Sequence, residues 1–366
     1  MKDKDDTVDT VDTARGGFES EIQTGGRNST GTDRNTDRSD SRVGPPLLQR
    51  ASRRSPGAWV VAGALLAAAV AGLWFWAGGQ GPQYVSTPGQ GHVHTAIGLP
   101  VPNSTSPALW LGTHDGLYLK ELTPDGPKGW RKMNAPLSST DVMAVSSALR
   151  PGSPIYAAGH DLGVQRSDDG GAKWRQVMPG APMRDVHALA VDPNDPDRLY
   201  IWAEVAGLFT SSNGGATWET PGGGKGLSGP MKLTALAVSS GKGTESATLY
   251  AGTNLGLFVS RDEGQNWTPS PGEAGEQPVY SLLVLGGSQG SQGQAPEIYV
   301  GTATGVLHSS DGGSRWKRLQ NAASLGGIGG FAIDSSTTSQ GRLLAVNAAA
   351  EVFTSDDQGQ SWRHLP

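Results

Sequence analysis

The sequence predicts an all-β fold, a six-bladed β-propeller of four-stranded blades, preceded by one transmembrane helix and a disordered N-terminal tail. Three observations support this prediction. A short motif repeats six times, the repeat has the length of one propeller blade, and a single long uncharged run interrupts a polar N-terminus. The chain of 366 residues also contains 54 Gly and 24 Pro, which fits many tight turns better than long helices.

Residues 1–57 are predicted to form a disordered cytoplasmic tail. Phe18 is their only aromatic residue, and ten Lys/Arg balance ten Asp/Glu. Such a segment buries too little apolar surface to offset the entropy lost on ordering.

Residues 58–77 contain no charged side chain and are predicted to form the transmembrane helix. Twenty helical residues span about 30 Å, the thickness of one bilayer core. Arg50, Arg53 and Arg54 precede the run, and no Lys or Arg follows before Lys120. This asymmetry predicts a single-pass protein of the cell membrane, with a cytoplasmic N-terminus and an extracytoplasmic C-terminal domain. A cleaved signal peptide is the alternative. Residues 78–91 form a predicted Gly/Pro/Gln linker.

The pattern S-x-D-x-G-x-x-W organises residues 92–366, and its tryptophans are 44 to 49 residues apart. Its acidic or amide positions are Asp169, Asn213, Asp262, Asp311 and Asp357, and its tryptophans are Trp174, Trp218, Trp267, Trp316 and Trp362. A degenerate first copy contains Asp125 and Trp130. The carboxylate or amide accepts hydrogen bonds from backbone amides of the turn, Gly supplies a positive φ, and Trp begins the next strand.

Each repeat is predicted to form four strands, and the near-continuous apolar run of the first strand places that strand at the centre of the ring. Six repeats fit between residues 92 and 366. A seventh blade would need Tyr84 and its neighbours, which are too few. Because both ends fall at blade boundaries, we expect blade six to close the ring by packing on blade one. Alternatively, residues 84–88 could add an outer strand to blade six.

The motif resembles the Asp box (BNR repeat) of sialidases, sortilin-type receptors and photosystem assembly factors. A second resemblance, to exported bacterial BNR-repeat proteins labelled glycosyl hydrolase, covers the propeller. It rests on His92, His94, His114, Asp141, Met143, His160, Asp185 and His187. These resemblances imply a propeller fold, but Asp boxes build blades in proteins of unrelated function.

Composition excludes several function classes. A net charge of −5 argues against a nucleic-acid partner. The absence of cysteine excludes disulfides, thiol catalysis and cysteine zinc sites.

Histidines recur at matching positions in repeats one to three. Alignment of the first strands places His94, Met143, His187, Thr234, Tyr280 and Gly329 at one position, with His92, Asp141, Asp185, Lys232, Pro278 and Gly327 two residues earlier. The loop between the second and third strands carries His114, His160 and Glu204. The sequence therefore predicts a ligand site at one rim, formed by His92, His94, His114, Met143, His160 and His187.

The metal-ligand candidates at this rim are His94, His114, His160 and His187. Imidazoles beside Met143 would suit copper, and imidazoles beside carboxylates would suit zinc or another divalent ion. The alternative is a set of rim histidines that bond loop backbone.

The first functional hypothesis is a binding module for a protein, a glycan or a metal. The second is a glycoside hydrolase that uses Asp141, Asp185 or Glu204. Exo-sialidase activity is not expected, because no aligned arginine triad is present. A photosystem-type assembly factor ranks last.

Overall fold

The computed structural model describes residues 84–88, 92–123, 129–133, 137, 141–177, 184–222, 224–227, 231–241, 246–286, 295–325, 327–334 and 342–365. All of them lie in one compact unit, Gly72–Pro366. The predicted tail, the predicted transmembrane helix at 58–77 and Asp125 lie outside the described residues. Among the residues that are described, no helix is long and apolar enough to cross a bilayer.

In the described part of the chain, six antiparallel sheets of consecutive strands form the blades of a propeller. Blade one contains β1 (Tyr84–Val85), β2 (Val93–Pro100), β3 (Pro107–Thr113), β4 (Gly116–Glu121) and β5 (Trp130–Lys132). Blade two contains β6 (Ala144–Ser147), β7 (Ile155–Gly159), β8 (Gly163–Ser167) and β9 (Arg175–Gln176). Blade three contains β10 (Val186–Val191), β11 (Leu199–Ala203) and β12 (Gly207–Ser211), and a single bridge from Thr210 to Glu219 replaces its fourth strand.

The last three blades repeat this order. Blade four contains β13 (Leu233–Ser239), β14 (Thr248–Thr253), β15 (Gly256–Ser260) and β16 (Thr268–Pro269). Blade five contains β17 (Val279–Leu285), β18 (Glu297–Thr302), β19 (Gly305–Ser309) and β20 (Lys317–Arg318). Blade six contains β21 (Ile328–Asp334), β22 (Arg342–Asn347), β23 (Val352–Ser355) and β24 (Arg363–Leu365). Short 3-10 helices at Gly272–Gly275 and Gln320–Leu325 join blades four, five and six. The predicted six blades and their four-strand plan are confirmed.

Apolar side chains fill the space between every pair of neighbouring blades. Six hydrophobic clusters of buried residues occupy the six interfaces. Between blades two and three, for example, Tyr156 and Val164 pack with Leu199 and Ile201. The strands are apolar on both faces because each sheet is covered by another sheet on each side.

Among the described residues, blade six closes the ring by packing on blade one, as predicted. All strands of blade six come from the C-terminal repeat, and Val93 and Leu111 of blade one pack against Leu344 and Val346 of blade six. β1 pairs with β5, so residues 84–85 extend blade one rather than blade six. The outer edge of β5 provides the backbone groups that pair with β1. Gly129 lets β1 come this close, since a Cβ on Gly129 would lie 2.9 Å from the Val85 carbonyl oxygen.

Five Asp boxes share one hydrogen-bond pattern, which confirms the turn chemistry predicted for them. In each box the amide of the motif glycine donates to the serine hydroxyl at 2.8 or 2.9 Å. The amide before the tryptophan donates to the Asp or Asn oxygen at the same distances. The motif glycines adopt φ between 82° and 92°, which only glycine tolerates easily.

The motif tryptophans differ in burial. Trp130 and Trp267 are 2% and 4% exposed. The tryptophans that pack at the edges of the interblade clusters while remaining partly exposed are Trp174, Trp218, Trp316 and Trp362. Trp218 also connects two blades by a hydrogen bond, since its Nε1 donates to the Val177 carbonyl at 3.2 Å.

Candidate functional site

A β-bulge recurs near the start of the first strand of the blades. The strand register shifts at this place in five blades, and the residues left out of the pairing are His94, His187, Thr234, Tyr280 and Gly329. In blade two the equivalent residue, Met143, precedes β6, and its amide donates to the Ala158 carbonyl at 2.9 Å. A bulge leaves one residue unpaired and redirects its side chain, so five blades present a bulge residue at this place and blade two presents Met143.

These six residues line one cavity of about 680 Å³, which we call the mouth cavity. His92 and Lys232, two residues before bulge positions, also line it. The inner strands of all six blades line the channel that continues from it. The sequence alignment of the first strands therefore identified residues that are equivalent in space.

The hairpin loops of blades one to three lie at the same end of the ring. This follows from the antiparallel pairing, in which the start of a first strand faces the end of the second, as Val186 faces Ala203. Glycines permit close contact here. A Cβ on Gly159 would lie 1.8 Å from the Asp141 carbonyl oxygen, and one on Gly112 would lie 2.6 Å from that of Val142. These glycines precede His160 and His114, and sequence reasoning missed their role.

A first set of three ligand groups consists of His94, His114 and Asp141, whose ligand atoms lie within 4.8 Å of one another. His114 Nδ1 is 3.0 Å from each carboxylate oxygen of Asp141. The rings of His94 and His114 meet edge to face, with centroids 4.2 Å apart.

A second set consists of His160, Asp185 and His187, which satisfy the same limit of 4.8 Å. Asp185 Oδ1 lies 2.5 Å from His160 Nδ1 and 3.2 Å from His187 Nε2. Asp185 Oδ1 and His187 Nε2 are nevertheless buried without a hydrogen bond to any described residue.

The two sets join into one row. His160 Nε2 lies 3.9 Å from Asp141 Oδ2, and His187 Nδ1 lies 3.4 Å from Glu204 Oε2. We call the whole row the imidazole–carboxylate array, which consists of His94, His114, Asp141, His160, Asp185, His187 and Glu204. The structure thus brings together all four predicted metal ligands and all three candidate catalytic carboxylates.

Two predicted ligand residues lie beside the array rather than in it. His92 is exposed and contacts His114 edge to face, with ring centroids 6.3 Å apart. Met143 lines the mouth cavity together with His94 and His187.

The array favours neutral imidazole at His94. Burial, followed by the nearby His114, lowers the pKa of His94 to about 4. His94 Nε2 is also buried and has no hydrogen-bond partner among the described residues. A neutral imidazole with a free nitrogen lone pair is the form that ligates a metal.

The geometry suits cation binding better than carboxylate-pair catalysis. A tetrahedral zinc ion with bonds of about 2.0 Å holds its ligand atoms about 3.3 Å apart, and the contacts at 3.0 and 3.2 Å are close to this value. His160 Nδ1 and Asp185 Oδ1, which are 2.5 Å apart, would have to separate by about 0.8 Å to bind one zinc ion. Asp141, Asp185 and Glu204 each lie against an imidazole. Glycosidases instead place two carboxylates on either side of an open gap.

No protein-family profile matches the sequence, and no curated protein is significantly similar to it. Among solved structures, the chain is similar to a GH74 xyloglucanase from Xanthomonas campestris, with 20% identity and a TM-score of 0.49 over 78% of this chain and 46% of that one. It is similar to YCF48 from Cyanidioschyzon merolae, with 15% identity and a TM-score of 0.45 over 78% and 88% of the two chains. It is also similar to a structure of YCF48 bound to D1 peptide, with 16% identity and a TM-score of 0.41 over 61% of this chain and 68% of that one.

The chain spans less than half the length of the xyloglucanase. The architecture rests on the coordinates themselves, in which six sheets form a ring and five regular Asp boxes recur. The described part of the protein is a six-bladed β-propeller with a regular Asp box in five of its blades.

Proposed function

We propose that this protein is a membrane-anchored, extracytoplasmic binding module that holds a divalent transition-metal ion in the imidazole–carboxylate array. The carrying observation is the pair of three-residue sets, His94–His114–Asp141 and His160–Asp185–His187, whose ligand atoms lie within 4.8 Å of one another. Buried imidazole and carboxylate atoms without hydrogen bonds are costly, and coordination of a cation would offset that cost.

Zinc is the metal that this ligand set favours. Each set consists of two imidazole nitrogens and one carboxylate oxygen, which are ligand atoms that zinc binds with tetrahedral geometry. A copper(I) site would need the Met143 thioether as a ligand, and neither set requires it.

Each set contributes three protein ligands, which leaves one tetrahedral position free for an external group. Glu204 lies 3.4 Å from the second nitrogen of His187 and would orient that ring, as carboxylates beside metal-bound histidines do. A metal with an open position on the rim of a rigid ring acts as an anchor for a ligand, which is the binding role proposed.

The test is zinc binding by the purified full-length protein after chelator treatment, measured by elemental analysis and calorimetric titration. We expect at least one zinc ion per chain and none in the His94→Ala/His187→Ala double variant. His364→Ala, which removes an exposed histidine outside the array, is the control and should bind zinc like the wild type. Stoichiometric zinc in the double variant, or none in the wild type, would overturn the proposal.

The anchored, extracytoplasmic placement rests on the uncharged run at 58–77 and the arginines before it. Cell fractionation with protease treatment of intact cells or spheroplasts tests it. We expect the protein in the membrane fraction, resistant to carbonate extraction, with the propeller accessible to external protease. A protected propeller or a carbonate-extracted protein would contradict this placement.

A further inference from the structure

We infer that the mouth cavity binds a small organic oxyanion, a carboxylate or phosphate attached to a flat ring, with Lys232 pairing the anion and Tyr280 stacking on the ring. The array forms one wall of this cavity through His94 and His187. Blades four to six form the other wall, where the positions equivalent to the histidines carry Thr234, Tyr280 and Gly329. The role of the wall with His94 and His187 rests on the proposed function. The role of the wall with Lys232 and Tyr280 is argued from separate observations.

Lys232 is an unpaired cation at the cavity. Its side chain is exposed and makes no ion pair with any residue that the structure describes. Its backbone is held in place, since its amide donates to Asn254 Oδ1 at 2.7 Å. A lysine ammonium on a fixed backbone offers three donors to an oxyanion.

Tyr280 presents an aromatic ring where most bulge positions carry smaller or more polar groups. Its side chain is 45% exposed, although it lies on an inner strand of a propeller. The bond from Thr234 Oγ1 to the Val279 carbonyl, at 2.6 Å, ties blade four to the residue before it. An exposed ring over a cavity, with no hydrogen bond from its hydroxyl in the described region, is suited to stacking on a flat group.

The electrostatics and space of the cavity favour an anion. Among the lining residues that the structure describes, Lys232 is cationic and none is an Asp or Glu. The carboxylates of the array are absent from that lining and would be matched by a bound cation. Blade six contributes Gly327, where a Cβ would meet no atom within 4 Å, so space for a ring stays open.

The experiment titrates benzoate and phenyl phosphate into the full-length protein, with benzamide as the uncharged probe, in zinc-loaded and chelated samples. Ligand-observed NMR and calorimetry measure affinity. We expect both oxyanions to bind more tightly than benzamide. Lys232→Met should weaken them about tenfold, since a charge-assisted hydrogen bond is lost, without changing the zinc content. Tyr280→Ala should weaken all three ring probes.

The control is Lys173→Met, which removes an exposed lysine of an Asp box and should leave probe affinity unchanged. Equal affinity for benzoate and benzamide, or unchanged oxyanion affinity in Lys232→Met, would overturn the inference. Oxyanion binding that depends on Lys232 in a protein without zinc would support the inference while refuting the proposed metal function. Zinc binding without oxyanion binding would do the reverse.

Discussion

Single glycines set how closely the loop histidines approach the strands that carry the carboxylates. At Gly159 an added Cβ would lie 1.8 Å from the Asp141 carbonyl oxygen, a contact that no side chain can make. Asp141 is the residue through which the two ligand sets meet, since it lies against both His114 and His160. The backbone contact at Gly159 therefore positions the centre of the array.

We predict that Gly159→Ala weakens zinc binding by at least about tenfold, because relieving the contact moves Asp141 further than the ~0.2 Å tolerance of a metal site. Melting temperature and zinc titration measure the effect on fold and site. Gly327→Ala is the control, since a Cβ there has open space, and it should change neither quantity appreciably. A Gly159→Ala protein with wild-type zinc affinity would show that this contact does not position Asp141.

At the scale of the element, the Asp box forms the same turn with a neutral amide side chain as with a charged carboxylate. Asn213 accepts the same amide bond that the carboxylates accept in the other boxes, at 2.9 Å. Asp311 adds a side-chain bond from Arg315, and this bond, together with the Arg315 amide, lowers the pKa of Asp311 to about 2. The turn therefore requires a side-chain oxygen that accepts the backbone amide bond. A carboxylate at this position also makes the stability of the fold depend on pH.

We predict that Asp311→Asn makes the protein less sensitive to acid. A carboxyl pKa lowered from 3.8 to about 2 stabilises the fold above pH 3.8, and that contribution is lost as pH falls toward 2. The amide does not titrate, so the stability difference between wild type and variant should shrink over this range. Urea midpoints measured from pH 4.5 to 2.5 provide the check, and parallel curves for the two proteins would contradict it.

At the scale of the whole molecule, the ring depends on six similar hydrophobic interfaces, one of which joins the first and last blades. Leu344 lies in that closing interface and is 1% exposed, while Leu199 lies between blades two and three and is fully buried. Since no described strand is exchanged between blades one and six, side-chain packing must hold these two blades together.

We predict that Leu344→Ala and Leu199→Ala destabilise the protein by similar amounts, each about 2–5 kcal/mol, because both remove a buried leucine from an interblade cluster. Urea unfolding followed by tryptophan fluorescence measures both. A cost below about 1 kcal/mol for Leu344→Ala, beside a normal cost for Leu199→Ala, would indicate a ring that opens between blades six and one.

The functional asymmetry of the molecule also belongs to this scale. Six equivalent positions at the start of the first strands surround one cavity, and the blades place different side chains there. Blades one to three carry the array, while blades four to six carry Lys232, Tyr280 and glycines. A ring of similar blades thus presents two chemically different walls to one cavity.

Much of this could be predicted from residues alone. The motif Trp spacing predicted six blades, because a turn with a fixed hydrogen-bond pattern must recur once per blade. Alignment of repeats placed His94, Met143 and His187 at one position, and the structure confirms that equivalence. The sequence could not predict the strand formed by residues 84–85 on blade one, because pairing at a sheet edge depends on which edge is nearby.

The repeat pattern determined the blade number, the phase of the strands and the end of the ring where the histidines lie, since these follow from local turns and hydrophobic period. Only the tertiary structure decided that His160 lies between Asp141 and Asp185, and that Lys232 and Tyr280 face the histidines across one cavity. Such contacts join different blades through bulges and close glycine contacts. They depend on interblade packing, which no local spacing in the chain encodes.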